Sequence, residues 1–281
     1  MSDGVILNAD DYAMTRGISD GILALAEAGR LSSTSAMTTT VHWPEDARRA
    51  MRLRGTFAVG LHLNLTFAAP LGKMPKLAPG GEFPNRQTVT GRALRRAIDS
   101  AEIAAEIDRQ LDRFEEHAGF PPDFVDGHHH VHVLPGIRDA LIAILKRRYP
   151  AGVMLVRDPA DRPATILRRQ VAAGKAMAAT FLALGFRRLA TGAGFTTNRG
   201  FSGYSTFGPV PYAEEFRAAL IGLGPRHMIM CHPGLPDREL AAGDSIHDRR
   251  PEEHTYLAGR EDLPAMLWRA SRESNAREFP W

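Results

Sequence analysis

The densest chemistry in this sequence lies in DFVDGHHHVHVLPG, residues 123–136, which gathers His128, His129, His130 and His132 behind Asp126. Four other short apolar runs end in a similar way. VILN (5–8) is followed by Asp10 and Asp11, FAVGL (57–61) by His62, VMLV (153–156) by Arg157, and HMIM (227–230) by Cys231 and His232. Each has an ordinary explanation when taken alone. An Asp pair after a strand is most often a turn or a helix cap. A lone His in GLHLNL is more often a satisfied, half-buried residue. A His run can be a surface tract, an Arg at a strand end usually makes an ion pair, and a His before Pro-Gly usually sits in a turn. Recurrence at five equivalent points is what those explanations leave uncovered.

One carboxylate and two imidazoles make a three-ligand metal site with room for water, the pattern of a catalytic rather than a structural centre. Such O,N,N ligation suits one divalent ion, Zn2+ foremost, and admits Co2+, Ni2+, Mn2+, Fe2+ or Mg2+. Adjacent aspartates on an extended backbone point to opposite faces. One of Asp10 and Asp11 can therefore bind the metal while the other faces the water as a base. If residues 128–132 stay extended, His128, His130 and His132 share one face and His129 lies on the other. His128 follows Gly127 directly and is the leading candidate. Asp126 can accept a hydrogen bond from a ligand imidazole, and at least one of His129 and His130 is expected to pack or hold a loop.

Side chains at strand ends meet only if a scaffold brings the ends together. Strands are expected at 5–8, 33–40, 57–65, 124–130, 152–156 and 227–231. Helices are expected at 18–31, 43–53, 101–117, 137–148, 164–184, 212–223 and 260–272, and residues 67–91 form a Pro- and Gly-rich loop. Strand-helix alternation argues for a parallel α/β architecture in one domain spanning 1–281. A (β/α) barrel, complete or not, is the preferred form and a doubly wound open sheet the alternative. In both, the active site lies at the C-terminal strand ends.

The composition, 44% hydrophobic and 24% charged with a net charge of +3, is that of a soluble globule without a basic tract, so nucleic acid is not implied. The single cysteine, Cys231, permits no disulfide within the chain and fits a reducing compartment. The N-terminus lacks the features of a signal peptide, and no run is long enough to span a membrane. The expectation is a cytoplasmic protein with no transmembrane segment. The apolar, basic stretch 164–184 is expected to pack on the core with a solvated face rather than to contact a membrane or a second subunit.

With LNADDY (7–12), STSAM (33–37), GLHLNLT (60–66), DGHHHVH (126–132), RDP (157–159) and MCHPG (230–234) in this order, the sequence resembles the YdjC-like family of carbohydrate deacetylases. That family includes chitooligosaccharide deacetylases and deacetylases associated with hopanoid biosynthesis. NRGFSG (198–203) and RRPEEHTYL (249–257) also look familial. The resemblance implies a distorted TIM-like barrel and metal-dependent removal of the acetyl group from an N-acetylated sugar or glycolipid. It implies Asp11, His62 and His128 as metal ligands, Asp10 as base, His232 as general acid, Arg157 as the residue orienting the base, and a homodimer by analogy. Tyr12 and Ala13 stand where the family often has Phe-Gly, which is expected to change the turn and the substrate pocket. Tyr12, Trp43, Phe67, Tyr204 and Phe207 are candidate sugar platforms, and loops 67–91 and 192–209 could wall the pocket. The alternatives are another metal-dependent amidase or phosphoesterase, or a non-catalytic carbohydrate-binding protein on the same fold.

Overall fold

The computed structural model describes residues 4–208, 210–239 and 246–269. Apolar runs supply seven parallel strands: β1 (Ile6–Tyr12), β2 (Ser33–Ala36), β3 (Ala58–Leu63), β4 (Phe124–Gly127), β5 (Leu155–Val156), β6 (Gly200–Ser202) and β7 (His227–Cys231). They lie in the order β5-β4-β3-β2-β1-β7-β6. From β1 to β5 each crossover moves one place in the same direction, and β6, β7 and β1 continue the same circuit. That cyclic order belongs to a barrel, whereas a doubly wound sheet reverses direction at its switch point. The circuit opens between β5 and β6. There Val156 N–H donates to the Thr196 carbonyl at 2.9 Å and Thr196 N–H to the Met154 carbonyl at 3.2 Å, across the seam. The fold is a single α/β domain, a distorted and incomplete TIM-like barrel.

Alternation along the strands sorts their side chains. Leu7, Ala9, Val59, Leu61, Val125, Ile229 and Cys231 point outward into the core shared with the helices. Ile6, Ala58, Phe124, Leu155, Phe201, Met228 and Met230 fill the barrel interior. Toward the C-terminal strand ends the inward positions become polar: Asn8, Asp10, Ser33, Ser35, His62, Asp126 and Arg157 are all buried. Gly60 sits inward between Ala58 and His62, and a Cβ there would lie 2.6 Å from the Phe124 ring. Gly60→Ala is expected to cost about 1–3 kcal/mol by overpacking. Chemical denaturation would measure it.

Several helices form as their patterns suggest: α1 (Arg16–Glu27), α2 (Trp43–Ala50) with a 3-10 turn after it, α4 (Ser100–Ala118) and α5 (Ile137–Arg148). Asp99 caps α4 by accepting the Glu102 N–H at 2.9 Å. The loop expected at 67–91 gives way earlier to α3 (Arg86–Leu94), because Asn85 accepts the Thr88 N–H and starts a helix. Residues 164–184 are not one helix. Gln170 and Ala172, at φ +61° and +48°, separate α6 (Pro163–Arg169) from α7 (Ala173–Leu182), and α8 (Phe186–Gly192) follows Gly185. The next helix, α9 (Tyr212–Ala219), ends before 223. The strand expected at 33–40 stops at Ala36. In place of a helix at 260–272 stand α10 (Arg249–Ala258) and the short α11 (Leu263–Met266), after which Leu267 bridges Val5. Residues 270–272 lie outside the described residues. Among the described residues no helix is long and apolar enough to cross a membrane.

Candidate metal centre and active site

At the end of β1 the register with β2 shifts between Ala9 and Tyr12, and Asp11 takes φ +71°. A bulge of this kind re-aims a side chain, and Asp is among the few residues that tolerate the left-handed region. The two aspartates therefore do not diverge as an extended backbone would require. Asp11 Oδ1 lies 3.2 Å and Asp10 Oδ2 3.9 Å from the same atom, His62 Nε2. The next residue but one shows how the turn survives without glycine. Ala13 holds φ +66°, with its N–H donated to Ser19 Oγ at 3.1 Å and its carbonyl accepting from the Thr40 hydroxyl at 2.5 Å.

The histidine cluster is not extended either. Strand β4 ends at Gly127, and residues His128–Val133 coil into a 3-10 segment with His129 and His130 at φ +54° and +58°. The four rings take different partners as a result, although those of His128 and His129 stay 3.9 Å apart between centroids. His128 Nδ1 points at Asp11 Oδ1, 2.9 Å away. His129 is exposed and meets the Thr66 hydroxyl at 2.9 Å. His130 packs edge-on to Phe201 and Tyr204. His132 Nε2 donates to the Arg157 carbonyl at 2.7 Å.

Asp11, His62 and His128 are all buried, with their donor atoms within 4.8 Å of one another. Metal bonds of about 2.1 Å at tetrahedral or octahedral angles place neighbouring ligand atoms roughly 3.0–3.4 Å apart. The observed 2.9 and 3.2 Å separations fit a small divalent ion. His62 also carries the support expected of a ligand imidazole, since its Nδ1–H donates to Asp126 Oδ1 at 2.6 Å and turns Nε2 forward. A second grouping, Asp10 with His62 and Asp126, is equally tight. Both of its carboxylates are already held by one cation, whereas Asp11 meets an arginine only through Oδ2 and turns Oδ1 to the two imidazoles. Arg157 Nη1 lies 2.7 Å from Asp10 Oδ1 and 2.8 Å from Asp126 Oδ2, which leaves the Asp11 set as the better place for a metal.

Burial would raise the pKa of Asp10, but Arg157, followed by His62 and His232, holds it below the usual carboxylate range. Burial is likewise outweighed at Asp11, which Arg250 and then His128 keep well below that range. At His62 burial works against the proton, yet Asp126 and Asp10 raise its pKa to about 10. A cation bound at Nε2 has to displace that proton. In the metal-free chain, His62 stabilises the fold fully below the ordinary histidine value of about 6.5. That share is lost as the pH rises through about 10. The two aspartates contribute above the ordinary carboxylate value and lose their share as the pH falls. Thermal unfolding of chelated protein is therefore expected to show falling stability on both the acid and the alkaline sides of about pH 4–6.5.

Sequence reasoning missed two residues of α10. Arg250 donates through Nη2 to Asp11 Oδ2 at 2.6 Å and through Nη1 to the His232 carbonyl at 3.4 Å. Glu253 accepts the His232 backbone N–H at 2.6 Å, and burial pushes its pKa up to about 8. This helix thus holds the His232 backbone from both sides while gripping Asp11. The signal was present in RRPEEHTYL: an Arg and a Glu three apart share one helix face, here a buried one. Asn8, which donates to Asp10 Oδ1 at 2.7 Å, was also missed.

Two candidate platforms belong to the core. Tyr12 is fully buried, with its hydroxyl donating to the Asp46 carbonyl at 2.8 Å. Trp43 stacks on Phe114 and donates to the Arg113 carbonyl. Phe67 and Phe207 instead stand edge-on to His128 and His232, at 6.4 and 5.6 Å, and are partly exposed at the mouth. Tyr204 lies deeper, its hydroxyl donating to the Pro159 carbonyl.

The chitooligosaccharide deacetylases of Yersinia pestis (strain Pestoides F) and Yersinia pseudotuberculosis serotype O:1b (strain IP 31758) are each 36% identical to this chain over 148 residues, 51% of this chain and 56% of theirs. The chain spans about half the length of the curated relatives it matches. A crystal structure of a protein named for cellobiose-phosphate cleavage, from Enterococcus faecalis V583, has a TM-score of 0.71 at 20% identity, over 98% of this chain and 99% of that one. That likeness is one of fold. The family model of the YdjC-like protein matches residues 4–265, which takes in every strand, the Asp11–His62–His128 cluster and α10, and the chain belongs to the YdjC-like family.

Proposed function

We propose that this chain is a metal-dependent carbohydrate deacetylase that hydrolyses the acetamide of an N-acetylated amino sugar, as an oligosaccharide or a glycolipid. Residues 1–281 are read as one such domain. The observation that carries the proposal is the Asp10 carboxylate. It is held through Oδ1 by Arg157 and Asn8, and turns Oδ2 toward the nitrogen of His62 that belongs to the ligand set. The name of the Yersinia relatives agrees with it. Asp11, His62 and His128 would hold the ion, Zn2+ first, with Mg2+, Co2+ or Ni2+ as alternatives. A divalent ion bound there supplies a Lewis acid for the acetyl carbonyl and lowers the pKa of a water to about 7.

The chain's own residues do the rest. Asp10 Oδ2 takes the proton of the attacking water. Arg157 keeps Asp10 ionised and fixes its orientation, because one guanidinium nitrogen spans Asp10 and Asp126. The departing amine needs a proton, and His232 supplies it, a role that suits an imidazole near neutral pH. Arg250 occupies the second oxygen of Asp11, so that Oδ1 alone faces His62 and His128. Arg250→Ala is expected to cost about 10–100-fold in metal affinity or in kcat, as removal of an outer partner of a ligand does. Steady-state kinetics beside metal analysis would show it.

The test of the function is acetate release from N-acetylglucosamine oligosaccharides and glycolipids, with Zn2+, Co2+, Mg2+ or chelator added. Metal-dependent release supports the proposal. A chain that holds one metal per molecule and releases acetate from none of them would refute it.

A further inference from the structure

Seven large apolar side chains are exposed among the described residues, and four of them come from one stretch: Leu167, Met177, Phe181 and Leu184, at 63, 37, 66 and 61%. Met177 and Phe181 are one helical turn apart on α7, and Leu184 continues the line just past its end. The charge around them has one sign. Between Asp161 and Glu214 the sequence has seven Lys and Arg residues and no acid. Asp161 and Asp158 are neutralised by Arg169 and Arg187, each pair at 2.8 Å. Arg162, Arg168, Arg188 and Arg199 are exposed. Directly after Leu184 opens a groove of about 620 Å³, lined by Gly185, Arg187, Arg188, Arg199 and Arg226 among others.

We propose that α7 and this arginine groove form a docking surface for an anionic phospholipid membrane. An apolar stripe running into an acid-free cationic groove matches the layering of a bilayer surface, with acyl boundary beneath phosphate headgroups. Guanidinium groups pair with phosphate oxygens through two parallel hydrogen bonds. A second copy of the chain fits this face less well. A two-fold contact sets a surface on itself, which would bring arginines against arginines with no acid in the stretch to pair them. The surface also reaches the site. Lys175 of α7 lies 4.5 Å over the Phe207 ring, which stands 5.6 Å from the His232 ring. The proposal does not depend on the deacetylase reading.

The experiment is sedimentation of the full chain with phosphatidylcholine vesicles, with and without phosphatidylglycerol, at low and high salt. Three forms are compared: the unaltered chain, Phe181→Glu with Leu184→Glu, and Arg188→Glu with Arg199→Glu. Binding is expected only with phosphatidylglycerol and weaker at high salt. Each double variant is expected to bind at least about tenfold more weakly. Melting temperature and acetate release from soluble sugars should not change, because none of these residues touches the site. Absence of phosphatidylglycerol-dependent binding overturns the proposal, as does equal binding by the variants. A dimer that Phe181→Glu dissociates, in a chain that ignores vesicles, overturns it in favour of an interface between copies. Binding of inorganic phosphate without vesicle binding overturns it in favour of a soluble anion.

Discussion

Asp10→Asn is expected to lower kcat by about a hundred- to ten-thousand-fold, the range of a lost general base, and to leave the metal bound. The amide has nearly the shape of the carboxylate. Its oxygen can still accept from Arg157 and Asn8, which approach Oδ1 at 2.7 Å each. Arg157 also keeps its contact with Asp126 at 2.8 Å, so no buried charge is orphaned. What the amide cannot do is take a proton at the second position. Metal analysis beside acetate release separates the two roles. Unchanged turnover would remove Asp10 as the base. Loss of metal would make Asp10 a ligand and favour the Asp10–His62–Asp126 grouping over the Asp11 one.

His62→Ala is expected to abolish stoichiometric metal binding and reduce activity to background. This ring touches three carboxylates of the centre, with Asp11 and Asp10 on its Nε2 side and Asp126 on its Nδ1. Removing one partner from such a buried charged network typically costs about 3–5 kcal/mol. The part of that loss that comes from the ring's charge should be fully present below about pH 6.5 in the metal-free chain and fall away as the pH rises through about 10, where the native ring gives up its proton. Denaturant unfolding of both forms across pH, in chelator, would measure this. His129→Ala is the control. That ring is exposed, meets the Thr66 hydroxyl and lies beside the His128 ring at 3.9 Å between centroids, but belongs to neither ligand grouping, so metal content and stability should hold. Equal metal loss in both variants would show that the cluster acts through its fold and that His62 is no ligand.

The legible part of this protein is local. Period-two alternation and apolar runs are properties of a few neighbouring residues, so strand ends and the ionisable side chains after them can be read directly. Asp10, Asp11, His62, His128, Arg157 and His232 were all found that way, and the structure brings them together. Helix ends with a capping residue, such as Asp99 before α4, are legible for the same reason. The sequence pattern misleads where a backbone departs from its run: Asp11 bulges out of β1, the histidines coil directly after Gly127, and Gln170 and Ala172 break the stretch 164–184. Left-handed conformations at Asp, His, Gln and Ala are held by surrounding contacts, and residue type alone gives little hint of them.

The tertiary structure decided what depends on distant pairing. Whether repeated strands and helices wind one way or two is set by which strand edges meet, and barrel and open sheet have the same periodicity. Arg250 comes within 2.6 Å of Asp11 across 239 positions of sequence, a closeness that only the docking of α10 on α1 and the strand ends creates. Tyr12 and Trp43 are buried because helices close over them, which no loop-like neighbourhood in sequence can reveal. By itself the sequence determined the chemistry available at each strand end. The closure of the barrel determined which of those groups share one site, because contact between them is a property of the whole chain's packing.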